Sequence, residues 1–259
     1  MMQQANHRAG GDYDYDYDAK GAGYAAQRRA DPRIAAQIWD SLGDACSVLN
    51  VGAGTGNYEP LDRMVVALEP SAAMRAERPA HAAPCVIGVA EALPFDDHSF
   101  DAVMSVLSCH QWADKPKGLA ELRRVARGPV VVLTFDPVAL QESWLTIYMA
   151  DIAAAEAARF LPIETLSAHL GGEVEVRPCR VPQNCTDGFM EAFFGRPEHF
   201  LDPQKRAAQS AWAFAPAGAE ARFVAKLAAD LASGAWDARY GHLRTAPFFD
   251  GSLRLLIGR

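Results

Sequence analysis

From residue 31 onward, short apolar runs alternate with amphipathic stretches. Residues 46–51, 64–68, 84–88, 100–106 and 129–135 are brief runs rich in Val, Ala, Met and Leu, bounded by Gly, Pro or charged residues. That pattern predicts five strands. Asp31 followed by Pro32 predicts a helix start, with a side-chain cap and then a ring whose missing N–H costs nothing there. This helix should run to about Leu42 and stop at Gly43. Ser71 caps a second helix through about Arg78, and a third over 116–127 carries Leu119, Leu122 and Val125 at helical spacing. Strands separated by single helices imply an α/β fold with a parallel, doubly wound sheet.

The second half has a different texture. Residues 143–160 read as one alanine-rich helix, and 163–170 as another closed by Gly171 and Gly172. Residues 173–181 alternate like a strand. About seventy mostly helical or looped residues precede a last strand at 253–257. The expected organisation is a flexible segment at 1–30 and one domain over 31–259, carrying a cap insertion at about 182–250. Within the flexible segment, residues 12–18 alternate Asp and Tyr. Aspartates disfavour strands and repel one another, so a segment that orders on ligand binding is expected there.

Composition narrows the class. Half of the 259 residues are hydrophobic, enough for a substantial core. The apolar runs are far shorter than the ~20 residues of a membrane span, and with no apolar segment behind positive charge at the N-terminus no secretory signal is expected. A cytoplasmic protein without a membrane partner is expected. A net charge of −7 argues against nucleic acid, which needs clustered cations. Arg123, Arg124 and Arg127 read instead as a solvated helix face. Five scattered cysteines suggest reduced thiols, and their spacing suits no metal site. A small-molecule partner is expected, with the chain a monomer or homodimer.

The chemistry concentrates in Val48–Gly56, where a buried strand runs into Gly52, Gly54 and Gly56. Glycines at alternate positions permit a tight turn and a close approach of ligand to backbone, and in an open α/β sheet that turn lies where ligands bind. The next strand ends at Glu69, whose carboxylate can accept from both hydroxyls of a ribose. Dinucleotide sites prefer G-x-G-x-x-G with a helix facing the pyrophosphate. Here the spacing is G-x-G-x-G, Asn57 holds the sixth position, and the acid comes fifteen residues after Gly54. S-adenosylmethionine, which has a ribose and an amino acid but no phosphate, fits better.

Residues 46–135 resemble the class I S-adenosylmethionine-dependent methyltransferases of the ubiquinone/menaquinone-biosynthesis kind. The pieces that match are NVGAGTG, ALEPSAAM, AEALPFDDHSFDAVMSV, and HQWAD followed by ELRRVAR. The resemblance implies a Rossmann-like seven-stranded sheet with an antiparallel last strand and a helical cap. It also implies a cofactor site made of Asn50, Gly52, Ala53, Gly54, Gly56, Glu69, Pro70, Met74, Ala90, Glu91 and Val106. Tyr17 and Tyr24 resemble tyrosines that close over the cofactor in such enzymes. His110 is the candidate base. Gln111, Trp112, Phe189, Phe193 and Trp212 are candidate substrate contacts. Three departures stand out. Asn50 replaces the usual aspartate, Val89 replaces an aspartate that meets the adenine, and the first crossover, which contains Pro60, should be stunted. The reading is O-, N- or C-methylation of a small molecule. The alternative is a cofactor-binding protein with a regulatory or scaffolding role.

Overall fold

Strands that are apolar on both faces need cover on both faces, and the chain supplies it with helices drawn from separate segments. A computed structural model describes residues 28–259. Tyr17, Tyr24 and the Asp/Tyr run lie outside the described residues. The sheet holds β1 (Ser47–Val51), β2 (Met64–Leu68), β3 (Cys85–Val86), β4 (Ala102–Val106), β5 (Val130–Phe135), β6 (Val174–Pro178) and β9 (Leu253–Gly258). Their order is β3-β2-β1-β4-β5-β9-β6. The first five run parallel, and β9 is antiparallel to both β5 and β6. This is the sheet that the sequence implies, with its last strand in chain order reversed.

Side chains alternate between the two faces. Val48, Val131, Leu133, Leu255 and Ile257 meet Ile34, Ala35 and Ile38 of α1 (Pro32–Ser41) on one face. Leu49, Val51, Val103, Val132 and Leu256 face the other. There they meet Leu119, Leu122 and Val125 of a helix at Lys115–Val125, and Leu166 and Leu170 of a helix at Ile163–Leu170.

Among the described residues no helix forms between β1 and β2. Three glycines and Pro60 are poor helix formers, and the segment is held instead by side chains. Trp39 Nε1 donates to the Tyr58 carbonyl at 2.8 Å, and the buried Glu59 accepts from Arg78 at 2.8 and 3.0 Å.

Other elements differ from their sequence reading. Residues 143–160 form two short helices, Trp144–Tyr148 and Ala150–Ala157, broken at Met149 (φ −139°, ψ 47°). Thr146, Ile147 and Tyr148 are weak helix formers, and the break seats Met149 in an apolar cluster. The strand expected over 173–181 ends at Pro178, which has no N–H for the ladder. Val181–Pro182 (β7) then pairs with Phe248–Phe249 (β8) in a separate ribbon.

Between that ribbon's strands lie short 3₁₀ turns and the helices Pro203–Ala207, Ala219–Ser233 and Ala235–Tyr240. They build a third core from Phe193, Phe200, Trp212, Phe223, Leu227 and Trp236. Trp144, Leu145, Met149 and Ile152 join it from the other side of β6 in the chain. The helical cap is therefore assembled from two separated segments, 143–157 and 189–240.

Candidate active site

The turn after β1 takes its shape from its glycines. Gly52, Gly54 and Gly56 have φ of 69°, 53° and 93°, a region that side-chain-bearing residues avoid. Gly52 and Ala53 donate to the Leu68 carbonyl at 2.9 and 3.1 Å, which folds the turn against the end of β2. A Cβ on Gly52 would stand 2.5 Å from Ser108 Oγ. A Cβ on Gly54 would meet nothing within 4 Å, so the turn is open on that side.

Glu69 spans this turn and the next. Its carboxylate accepts from Gly54 N at 2.8 Å and from Ser71 N at 2.8 Å. A carboxylate offers about four acceptor positions, so a diol can still be bound. Burial pushes its pKa up, partly opposed by those two N–H groups. Pro70 accepts from Arg75 at 2.7 Å, and Met74 is buried on the short helix Ala72–Ala76. Ala90 is buried beyond β3, and Glu91 accepts from Asp114 N at 3.1 Å. Val106 closes β4 and is half-buried.

Asn50 is joined to a carboxylate from elsewhere in the chain. Asn50 Nδ2 donates to Glu59 Oε1 at 3.2 Å, leaving the buried Asn50 Oδ1 without a hydrogen-bond partner. Glu59 itself is neutralised by Arg78, which also donates to the Gly54 carbonyl at 3.1 Å. Asn50 at the end of β1 thus keeps an unpaired buried acceptor, with a carboxylate one hydrogen bond from its amide. The sequence flagged Asn50 but not Glu59, because no spacing rule ties the two.

β4 lies beside β1, and its end joins the turn to a cleft. Ser108 Oγ donates to the Val51 carbonyl at 3.0 Å and shares a 2.8 Å hydrogen bond with Ser105. Two residues later His110 is buried, its ring tilted on Phe160 at 4.6 Å. Burial, then the charges of Arg159, Lys115 and Arg28, hold its pKa well below the ordinary histidine value, so the imidazole is neutral. Gln111 Nε2 stands 3.3 Å from His110 Nε2, whereas His110 Nδ1 is buried without a partner.

The cleft has Leu107, His110, Phe135, Leu140 and Phe160 on the sheet side. From the cap side come Phe189, Met190, Glu191, Gln209, Ser210 and Ala211. Arg28 and Glu156 complete the wall. Of the expected contacts, His110 and Phe189 line it. Trp112 does not; it lies under the turn, close against Gly118. Phe193 and Trp212 belong to the core of the cap, stacked on His199 and packed on Phe223 respectively. Large aromatics are where a cap hides its apolar area, and sequence alone does not separate wall from core. Phe160, Glu156 and Gln209 carry no sequence signal for the cleft, because each comes from a different loop or helix.

Asp187 ties the cleft to the turn. Fully buried, it accepts from Arg28 Nε at 2.5 Å and from the Tyr58 hydroxyl at 2.7 Å, and Arg28 and Asp187 also form a backbone bridge.

Comparisons with known proteins point to one family. A family model described as a methyltransferase domain matches residues 49–132. A solved structure of a putative methyltransferase from an antibiotic biosynthesis pathway of Anabaena variabilis is 31% identical. It superposes with a TM-score of 0.83, covering 90% of this chain and 99% of that one. A malonyl-acyl-carrier-protein O-methyltransferase of Halorhodospira halophila is 38% identical over 109 residues, 37% of either chain. An uncharacterized methyltransferase of Mycobacterium tuberculosis is 35% identical over 119 residues, 41% of this chain and 47% of its own. The chain thus spans less than half the length of these curated relatives.

Proposed function

Since this chain belongs to the class I S-adenosylmethionine-dependent methyltransferases, we propose that it methylates a small molecule held in the cleft between sheet and cap. One observation carries this reading. The glycine turn and the cleft share a wall, because Ser108 is bonded to the end of β1 while Leu107 and His110 on either side of it line the cleft. A ligand on the turn and a second one in the cleft would meet there.

The residues at the turn fit the cofactor. Asn50 Oδ1 is a buried acceptor in want of a donor, as an ammonium group would supply. Glu69 retains acceptor capacity for the ribose, and the space over Gly54 admits a close approach of ligand to backbone. When bound, S-adenosylmethionine supplies an electrophilic methyl whose leaving group is a neutral thioether.

The chain's own work is then mostly positional. Phe135, Phe160, Phe189 and Leu107 exclude water and orient a flat acceptor, and holding reactants in line can supply about 7–11 kcal/mol of a barrier. His110 takes the proton that the acceptor loses. A neutral, weakly basic imidazole suffices, because the nucleophile's proton becomes strongly acidic as the new bond to carbon forms.

Calorimetry with S-adenosylhomocysteine tests the cofactor half. Glu69→Gln should weaken binding about 10- to 100-fold, the worth of a hydrogen bond to a charged group. Equal affinity would remove Glu69 from the site. Transfer of a labelled methyl group to a panel of small acceptors tests the other half. His110→Ala should slow that transfer while leaving the homocysteine titration unchanged.

A further inference from the structure

Among the described residues, two that line the cleft from opposite bodies of the molecule each carry a buried polar atom without a hydrogen-bond partner. One is His110 Nδ1, beyond β4. The other is Gln209 Nε2, at the start of a 3₁₀ turn of the cap (Ser210–Phe214). Buried polar atoms are nearly always paired, and leaving one unpaired costs about 1–3 kcal/mol. Both residues border the same cleft.

The orientation of the Gln209 amide is fixed by chemistry. Its Oε1 accepts from Trp212 Nε1 at 2.9 Å, and an indole nitrogen only donates. The NH₂ is therefore the free end, and it requires an acceptor. His110 is less exacting. While Gln111 donates its amide N–H to Nε2, the ring's proton sits on Nδ1. With the carboxamide oxygen turned to Nε2–H, Nδ1 becomes a bare lone pair. A hydroxyl satisfies both states, accepting in the first and donating in the second.

Charge decides what else the ligand carries. Arg28 is bound to Asp187, and Arg159 behind the wall is bound to Glu156 at 2.6 Å. Glu191 accepts from Ser252 N at 2.9 Å, and burial biases its carboxyl toward the neutral form. Arg28 and Glu156 thus meet the cleft as members of ion pairs, and neither offers a ligand an uncompensated charge. The remaining wall is Leu107, Phe135, Leu140, Phe160 and Phe189.

Building on the methyltransferase reading, we propose that Gln209 is a specificity-determining residue for an uncharged, hydroxylated aromatic acceptor. Its amide N–H binds a carbonyl-type oxygen of that acceptor while the hydroxyl to be methylated lies on His110. The hydroxyl oxygen forms the new bond to the methyl carbon, the bond from that carbon to sulfur breaks with its electron pair leaving on sulfur, and the hydroxyl proton passes to His110 Nδ1.

The test compares the ortho-, meta- and para-hydroxyacetophenones with the ethylphenols of the same substitution, which lack only the carbonyl oxygen. Hydroxybenzoate and hydroxybenzylamine serve as charged controls. Labelled S-adenosylmethionine reports transfer, and thermal shift in the presence of S-adenosylhomocysteine reports binding. At least one hydroxyacetophenone should be used about tenfold better, as kcat/KM, than its ethylphenol partner and than either charged compound, the discrimination expected for one paired polar group. Gln209→Leu should bring the ketone down to the ethylphenol level, mainly through KM. Gln209→Glu, which keeps an acceptor for Trp212 but offers no N–H, should do the same. Equal use of ketone and ethylphenol, a ketone preference that survives both variants, or preference for a charged control would overturn the proposal. So would a panel that neither binds nor reacts while S-adenosylhomocysteine binds, an outcome that leaves the methyltransferase reading intact. Failure to bind S-adenosylhomocysteine would count against both.

Discussion

Gly52 shows how much one residue carries in this molecule. It adopts a left-handed conformation and approaches Ser108 so closely that a methyl group would collide with the hydroxyl. Gly52→Ala therefore combines about 1–2 kcal/mol of backbone strain with displacement of the side chain that links β1 to the cleft. S-adenosylhomocysteine affinity should fall at least about tenfold, the equivalent of ~1.4 kcal/mol. Gly43→Ala is the matched control. It has a similar φ of 58° but nothing within 4 Å of the added carbon, so it should lower stability without touching affinity. Equal affinities for the two variants would show that the approach to Ser108 is not needed. Asn50 makes a related point. A carboxylate, Glu59, stands one hydrogen bond from it and is itself paired with Arg78.

At the level of elements, α1 is fastened at its first turn. The buried Asp31 caps the helix through Arg33 N at 2.9 Å and also receives Thr186 N at 3.0 Å and the Arg33 side chain. Burial alone would raise its pKa. The Arg33 guanidinium and the N–H groups of Thr186 and Arg33 outweigh that and lower it from 3.8 to about 2. Between those two values the unfolded chain binds more protons than the folded one, so stability rises with pH there. The contribution is complete above about pH 5 and is lost as pH falls toward 2. Asp31→Asn should cost about 1–2 kcal/mol at neutral pH, in line with other caps. It should also flatten the acid limb of a plot of melting temperature against pH. A limb as steep as that of the parent protein would show that another carboxylate dominates it.

Among the described residues, two cores lie astride the sheet and a third in the cap, and the cleft lies where sheet and cap meet. Trp236 is fully buried in the third core against Trp144 and Tyr240. Trp236→Ala should cost about 3–5 kcal/mol, as expected for a large cavity, and the loss should fall on the cap. Methyl transfer should collapse, while S-adenosylhomocysteine should bind within about twofold of the parent, since distant sites act nearly independently. Loss of both together would mean that sheet and cap fold as one cooperative unit.

Local chemistry made the cofactor half readable. A strand, a glycine turn and an acid at the end of the next strand lie within twenty-two residues, 48–69, so their meeting depends on one β-β connection. The seven-stranded sheet and the reversal of its last strand followed from a resemblance carried by residues 46–135. Tertiary structure alone decided the rest. It replaced the first crossover helix with side-chain bonds, built the cap from two segments on either side of β6, and sorted its aromatics into wall and core. Gln209 and His110 lie ninety-nine positions apart. Their shared need for a partner arises only because burial removes the water that would otherwise satisfy each of them.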